Sequence, residues 1–443
     1  MILRLFLMVY RLAWGLFLPL VLVYLWRRGR RDPDYRRHLA QRFGFYRSPL
    51  PQGAIWLHAV SLGEVRSAAG LIRALLARGD RIVLTHFTPA GRRESHRLFP
   101  DDIAAGRIAV IWVPFDMAWC YRRFFAACRP RIGLTLEVEI WPAMVFAARA
   151  AGVPLYLCNG QYGSRPLARD SRGLRLRQRV IRGLAGAFVK SGLQRQRFLD
   201  IGLTNVHVTG ELRFDQSIPP AQLAAADALR PRLAQGREVI AIASGVEAEE
   251  PLYLWLITRC RDEAAAAGRK APVFVYVPRA PERFDAVCQG LIAAGLSVAR
   301  RSTALDVGLA ATSDLAGDLG GIDVLVIDSL GEMFFALALS GRVIVGSGFI
   351  PRGAHNIIEP LMLGKPVLTG PHTWPIEYPF AEAEAAGIAQ SLPDREALLD
   401  ALRTAPAPRA EAIARFLAEH GGASLRTLAA IDRVLAQQAP ASP

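Results

Sequence analysis

The sequence lacks the features that mark a secreted scaffold or a zinc protein. Five cysteines, Cys120, Cys128, Cys158, Cys260 and Cys288, are scattered over 443 residues without a CxxC pair, which excludes a disulfide framework and a zinc-ribbon spacing. No GxGxxG follows the first apolar run of the body, so the dinucleotide fingerprint is missing. Acid is scarce: 39 Asp and Glu against 54 Lys and Arg leave a net charge of +15, which asks for an anionic partner. Nucleic acid is disfavoured as that partner, because no recognition helix, RNP-type motif or zinc module accompanies the charge. With 52% hydrophobic residues the chain is not disordered, and its length suggests two or three domains, each burying its own core.

The longest apolar run is at the N-terminus. Leu5 to Trp26 reads LFLMVYRLAWGLFLPLVLVYLW, long enough to cross a hydrocarbon core and interrupted once by Arg11. It can be a tilted span with Arg11 snorkelling, or a monotopic helix in the interface. A signal peptide is the third reading, but no A-x-A-like cleavage site follows. Arg27, Arg28, Arg30, Arg31, Arg36, Arg37, Arg42 and Arg47 come next, diluted only by Asp32 and Asp34. That excess predicts an anchor on the inner membrane with the body on the cytoplasmic side, drawn to anionic lipid headgroups.

After Pro51, β-branched runs (IWLHAV, RIVLTHFT, RIAVIWVP, RIGLTLE, VPLYLCNG, GAFVKS, VHVTG) alternate with helical patterns such as Val65, Ala68, Ile72, Leu75 and Leu76. The pattern lapses into RFDQSIPPAQLAAADALRPRLAQG and resumes with REVIAIASG, PVFVYVPR, DVLVIDS, RVIVGSG and PVLTGP. The expected organisation is an anchor over 1–30, a Rossmann-like domain over 31–212, a linker over 213–236 and a second Rossmann-like domain over 237–443. The fold class is α/β, with two doubly wound parallel sheets facing a cleft and the chemistry in the strand-to-helix loops.

Three loops carry candidate chemistry. In HAVSLGEV, Glu64 falls in the first turn of a helix whose dipole favours its anion, so it suits a general base. Ser61 three residues earlier also makes the spacing of a capping box, and the two readings stay open. In LEVEIWP, Glu137 and Glu139 leave a strand end, and alternation is expected to send both to one face. Either they contact a cationic or hydroxyl group in the cleft, or they pair with a structural arginine. In VGSGFIPRGAHNIIEP, Gly346 and Gly348 end a strand and His355 and Asn356 are expected to begin a helix carrying Glu359, an anion site for a nucleotide phosphate. Ser244 and Arg279 end two other strands of this half and could reach the same phosphate.

HAVSLGEV, THFTPAG, PFD, LEVEIWP, VTGELRFD, VPRAPERF, IDSLGEM and GAHNIIEP, in that order behind an apolar N-terminus, resemble the 3-deoxy-D-manno-octulosonic acid (Kdo) transferase family of lipopolysaccharide synthesis. The resemblance runs from the anchor to about Pro371. It implies a GT-B fold that binds a lipid A precursor (lipid IVA) in the first domain and CMP-Kdo in the second, at the inner face of the cytoplasmic membrane. It also implies roles. Glu64 would be the base that activates the acceptor hydroxyl, and Glu137 and Glu139 the paired acids beside the tryptophan. Ser244, Arg279, Asn356 and Glu359 would be donor contacts, and Arg213 would stand where the family has the lysine of GNLKFD. The family needs no metal or other cofactor, and the D-x-D of Asp32 to Asp34 lies in the basic stretch rather than a cleft loop. Two family histidines are absent: Val246 and Ala280 occupy their places, and Ala354 replaces a glycine before His355. The departures leave open a different donor or acceptor, or a nucleotide-binding protein without activity.

Overall fold

Runs of Val, Ile and Leu with no polar alternation become strands only where helices cover both faces of a sheet, and the chain builds two such sheets. The computed structural model describes residues 1–312, 319–404 and 409–437. In the first sheet the strands are β1 (Ile55–His58), β2 (Ile82–His86), β3 (Ile108–Trp112), β4 (Ile132–Leu136), β5 (Leu155–Gly160), β6 (Gly186–Val189) and β7 (Val206–Val208). All pair in parallel, in the order β3-β2-β1-β4-β5-β6-β7. Successive residues of β1 feed opposite cores: Trp56 packs with Tyr121, Phe124 and Phe125, whereas Ile55 and Leu57 pack with Leu71, Ile72 and Leu75.

The second sheet repeats the plan with β8 (Val239–Gly245), β9 (Val273–Pro278), β10 (Val298–Arg300), β11 (Val324–Val326), β12 (Arg342–Val345), β13 (Val367–Thr369) and β14 (Ala389–Ser391). Its order is β10-β11-β9-β8-β12-β13-β14, again parallel throughout. The edge strands β10 and β14 were not expected, being three residues each and weakly apolar.

In a sheet of this topology, loops leaving the carboxyl ends of the two strands at the reversal of order part to opposite sides and open a crevice. The reversal falls between β1 and β4 in the first sheet and between β8 and β12 in the second. Glu64 follows β1 and Glu137 follows β4; Ser244 ends β8 and Gly346 follows β12. The candidate residues thus lie where the topology puts a site.

The domain boundaries differ from those expected. One unit comprises 1–216 and 420–443, the other 217–419. Residues 213–236 are no linker: Pro220–Ala234 is a helix that buries Ala226, Leu229 and Leu233 in the second unit's core. At the far end, the helix Ala423–Ala436 returns to the first unit, burying Ala430, Ile431 and Val434 beside Leu71 and Leu75. Asp215 fixes the start of that helix by accepting from the backbone N–H groups of Gly422 at 2.7 Å and Ser424 at 2.5 Å. The expected anchor is one helix, α1 (Ile2–Arg31), long and apolar enough to cross a membrane by length and composition.

Candidate active site

Glu64 occupies the third position of α2 (Leu62–Ala77), behind the N-cap Ser61. The cap is reciprocal. Ser61 Oγ accepts from the Glu64 N–H at 3.4 Å and donates to Glu64 Oε1 at 3.0 Å, while Oε2 accepts from the Val60 N–H at 2.8 Å. The capping reading therefore describes the backbone, and Glu64 is left 8% exposed. Burial pushes its pKa up to about 7, against the opposing Val60 N–H, and the Glu137 and Glu139 carboxylates add to the rise. A carboxyl group with that pKa exchanges protons near neutrality, as a general base must.

Glu137 and Glu139 do not share a strand face. β4 stops at Leu136, Glu137 takes a left-handed backbone at φ 54°, and the Glu139 N–H returns to the Leu136 carbonyl, so the two residues sit on a tight turn. The turn sends them to different partners. Glu137 Oε1 accepts from Arg213 Nη2 at 2.9 Å, so Arg213 meets an acid of its own unit. Glu139 Oε2 accepts from the Trp141 indole N–H at 2.8 Å, and burial raises its pKa against that bond. Trp141 caps the helix Pro142–Ala150 and meets the His58 ring edge-on at 5.5 Å.

A network behind this edge was not anticipated. Lys190, one residue beyond β6, pairs with Glu211 at 2.6 Å with both side chains almost wholly buried, and also donates to Gln161. Asn159 Nδ2 donates to Glu211 Oε1 at 2.8 Å and its Oδ1 accepts from the Leu212 N–H. Burial alone would raise the Glu211 pKa; Lys190 and then Arg213 hold it below the usual range. His58, at the end of β1, is wholly buried, its Nε2 has no partner among the described residues, and burial lowers its pKa to about 4. The signal for His58 was its place at the head of HAVSLGEV; for Lys190 and Glu211 it was charge directly after strand runs that have no room for it.

In the second unit, backbone does most of the shaping. Ser244 sits in a bulge of β8 at φ 59°. A Cβ on Gly346 would strike the Ser244 carbonyl, and one on Gly348 would overlap Thr369 and Gly370, so both glycines permit close approach of strand ends. Glu249, 1% exposed, clamps the loop between them by accepting from the N–H groups of Ser347 at 2.5 Å and Phe349 at 2.7 Å. The expected helix at His355 begins later: it runs only Ile358–Met362, with Asn356 Oδ1 accepting from the Ile358 N–H at 2.9 Å and Glu359 in its first turn. Five residues carry little dipole, so a charge able to hold an anion here would come from side chains.

Arg279 supplies it. Its backbone N–H bonds the Gly245 carbonyl at 2.7 Å, while its side chain is exposed and forms no ion pair among the described residues. His355 Nε2 is buried without a partner among the described residues, and burial, then Arg279 and Arg352, lower its pKa to about 4. A neutral imidazole and a free guanidinium beside a glycine-lined strand end make a suitable anion site. Among the described residues no group of three His, Cys, Asp or Glu side chains could hold a metal ion.

The family description 3-Deoxy-D-manno-octulosonic-acid transferase (kdotransferase) matches residues 37–216. A 3-deoxy-D-manno-octulosonic acid transferase from Bordetella pertussis is 39% identical over 436 residues, covering 96% of this chain and 98% of the relative. Among solved structures, a glycosyltransferase from Rickettsia africae superposes with a TM-score of 0.57 at 13% identity, over 88% of this chain and 100% of its own. A UDP-GlcNAc 2-epimerase from Neisseria meningitidis follows at 0.52 and 14%, over 86% and 100%. These two show the fold alone, and their different activities mean that the fold does not choose the reaction.

Proposed function

The chain belongs to the 3-deoxy-D-manno-octulosonic acid transferase family, and on that premise we propose that it moves Kdo from CMP-Kdo onto a hydroxyl of a lipid A precursor at the cytoplasmic face of the inner membrane. The observation that carries the mechanism is the buried Glu64 carboxyl with its pKa near 7. In the anionic form Glu64 takes the proton of the acceptor hydroxyl as its oxygen attacks the ketosidic carbon of Kdo. The bond from that carbon to the CMP phosphate breaks, and its electron pair stays on the phosphate oxygen. Positive character develops at the sugar carbon while negative charge grows on the phosphate, so the Arg279 guanidinium stabilises the transition state more than the ground state. His355, neutral at working pH, donates a hydrogen bond to the same phosphate, and Ser244, Asn356 and Glu359 complete the donor contacts.

Arg213 orients Glu137 on the acceptor side, and the Lys190–Glu211–Asn159 network fixes the backbone that carries Arg213, whose N–H bonds Glu211 Oε1 at 3.1 Å. Domain roles follow the same division: the first unit takes the acceptor and supplies the base, and the second takes the donor. Val246 and Ala280 favour a second reading, transfer from a different nucleotide-activated acidic sugar, since they remove two donor-side imidazoles. The test is mass spectrometry of a tetra-acylated lipid A precursor incubated with detergent-purified protein and freshly generated CMP-Kdo, with Glu64→Ala as control. A gain of Kdo mass that the control lacks supports the reading; no gain, with CMP still bound, transfers the weight to another donor.

A further inference from the structure

One face of α1 has no task in the transfer reaction and is apolar from end to end. The opposite face is occupied: Phe6, Tyr10, Trp14, Leu18, Leu22 and Leu25 recur every three to four residues and pack on the first unit. The Tyr10 hydroxyl donates to the buried Asp116 carboxylate at 2.7 Å, and the Trp14 ring lies 5.9 Å from that of Phe115. Asp116 in turn accepts from the Ala143 and Met144 N–H groups that open the Pro142–Ala150 helix. From Phe6 to Leu25 the contact runs about 29 Å along the axis at about 1.5 Å per residue, nearly the thickness of a hydrocarbon core, about 30 Å. A helix held to the body over that length cannot cross a bilayer unless Asp116 and the adjoining arginines of the Ala118–Cys128 helix enter the hydrocarbon with it, which is costly.

The free face carries Leu5, Leu12, Leu16, Leu20 and Val23, all 52–74% exposed. An apolar strip of this extent needs a cover. Its charge says which: α1 contains six arginines and no acid, and Arg4, Arg11, Arg27 and Arg31 form no ion pair among the described residues. Arg11 and Arg122, the latter also without an ion pair, both line a cavity of about 150 Å³ between α1 and the helices Ala118–Cys128 and Pro142–Ala150. Apolar strip and unneutralised guanidiniums together match a leaflet of anionic lipid, with acyl chains over the leucines and phosphates at the arginines.

We propose that α1 lies in the plane of one anionic leaflet and does not cross the bilayer, so that its N-terminus stays on the same side as the body. The proposal rests on the membrane-bound acceptor of the proposed function only for its purpose, because an in-plane helix holds the first unit at the surface where a lipid-linked hydroxyl is reached.

Its test does not use transfer. Nitroxides are attached singly at Leu5→Cys, Leu16→Cys and Val23→Cys of the full chain, bound to vesicles of phosphatidylethanolamine and phosphatidylglycerol, and their depths are read by collision with oxygen and a nickel chelate. The in-plane helix gives three equal, shallow depths. A label at position 16 deeper than those at 5 and 23 by about 10 Å, the offset of a span rising about 1.5 Å per residue, overturns the proposal. So does exposure of all three to nickel as in buffer, or their shielding from both reagents by a second copy. As a check independent of labelled depth, Ile2→Cys in spheroplasts should resist an impermeant maleimide until lysis; labelling from outside contradicts the in-plane helix. Loss of transfer with three equal depths would count against the proposed function alone.

Discussion

The carboxyl edges of the two sheets share one topology and differ in the group that each leaves without an ion-pair partner among the described residues. On the first, almost every ionised group has a partner: Glu137 with Arg213, Glu211 with Lys190, Glu139 with the Trp141 indole. Glu64 is the exception: among the described residues its carboxylate bonds only to Ser61 and the Val60 N–H, and burial makes it reluctant to ionise. On the second edge the buried Glu249 accepts from the Ser347 and Phe349 N–H groups and the Tyr253 hydroxyl, and Asp328 pairs with Arg300, while among the described residues Arg279 stays exposed without an ion pair and His355 Nε2 has no partner. A surrounded carboxyl group that is nearly neutral suits proton transfer; a free cation beside a tight backbone suits an incoming phosphate. The same scaffold supports both because only the loops differ.

The sharpest way to break this contrast is Glu64→Gln. It should lower kcat by about 10²- to 10⁴-fold, the range of a lost general base, with CMP affinity of the second unit unchanged by calorimetry. The same change should stabilise the fold. A carboxyl group raised from 4.5 to about 7 contributes stability that is present below 4.5 and lost as pH rises through 7, so at pH 8 the wild type carries the full cost. Removing the charge should return up to roughly 3 kcal/mol in chemical denaturation at pH 8, and much less at pH 4.5. Lys190→Met tests the paired character of the first edge by stranding the Glu211 carboxylate; the expected loss is about 3–5 kcal/mol of stability, partly restored in Lys190→Met/Glu211→Leu. On the second edge, Arg279→Ala should weaken CMP binding about 10- to 100-fold, the worth of a charged hydrogen bond, without moving the melting temperature of this exposed site. His355→Asn should cost the least, about fivefold in CMP affinity for one neutral hydrogen bond. That loss should be the same from pH 6 to 9, because His355 is neutral down to about 4.

Much of the frame could be read from the sequence, since parallel strands covered on both faces are runs of Val, Ile and Leu that few other structures explain. Among the described residues, twelve of the fourteen strands correspond to such runs; β10 and β14 escaped because three residues of mixed exposure leave no pattern. Sequence could not say which core receives an amphipathic helix, so 220–234 read as a linker and 423–436 as part of the second domain. The faces of α1 were hidden for a related reason: protein on one side and an exposed apolar strip on the other leave no periodicity to see. At the site, Glu64, Arg279 and His355 stood out through their places after strands. The parting of Glu137 and Glu139 did not, because it depends on a left-handed φ that a glutamate rarely adopts.

The central claim is that a buried, nearly neutral Glu64 takes the acceptor's proton, and kcat/KM for Kdo transfer measured from pH 5.5 to 8.5 tests it most directly. The account predicts a rate that falls tenfold per pH unit below about 7 and levels above it. A flat rate across that range would contradict it.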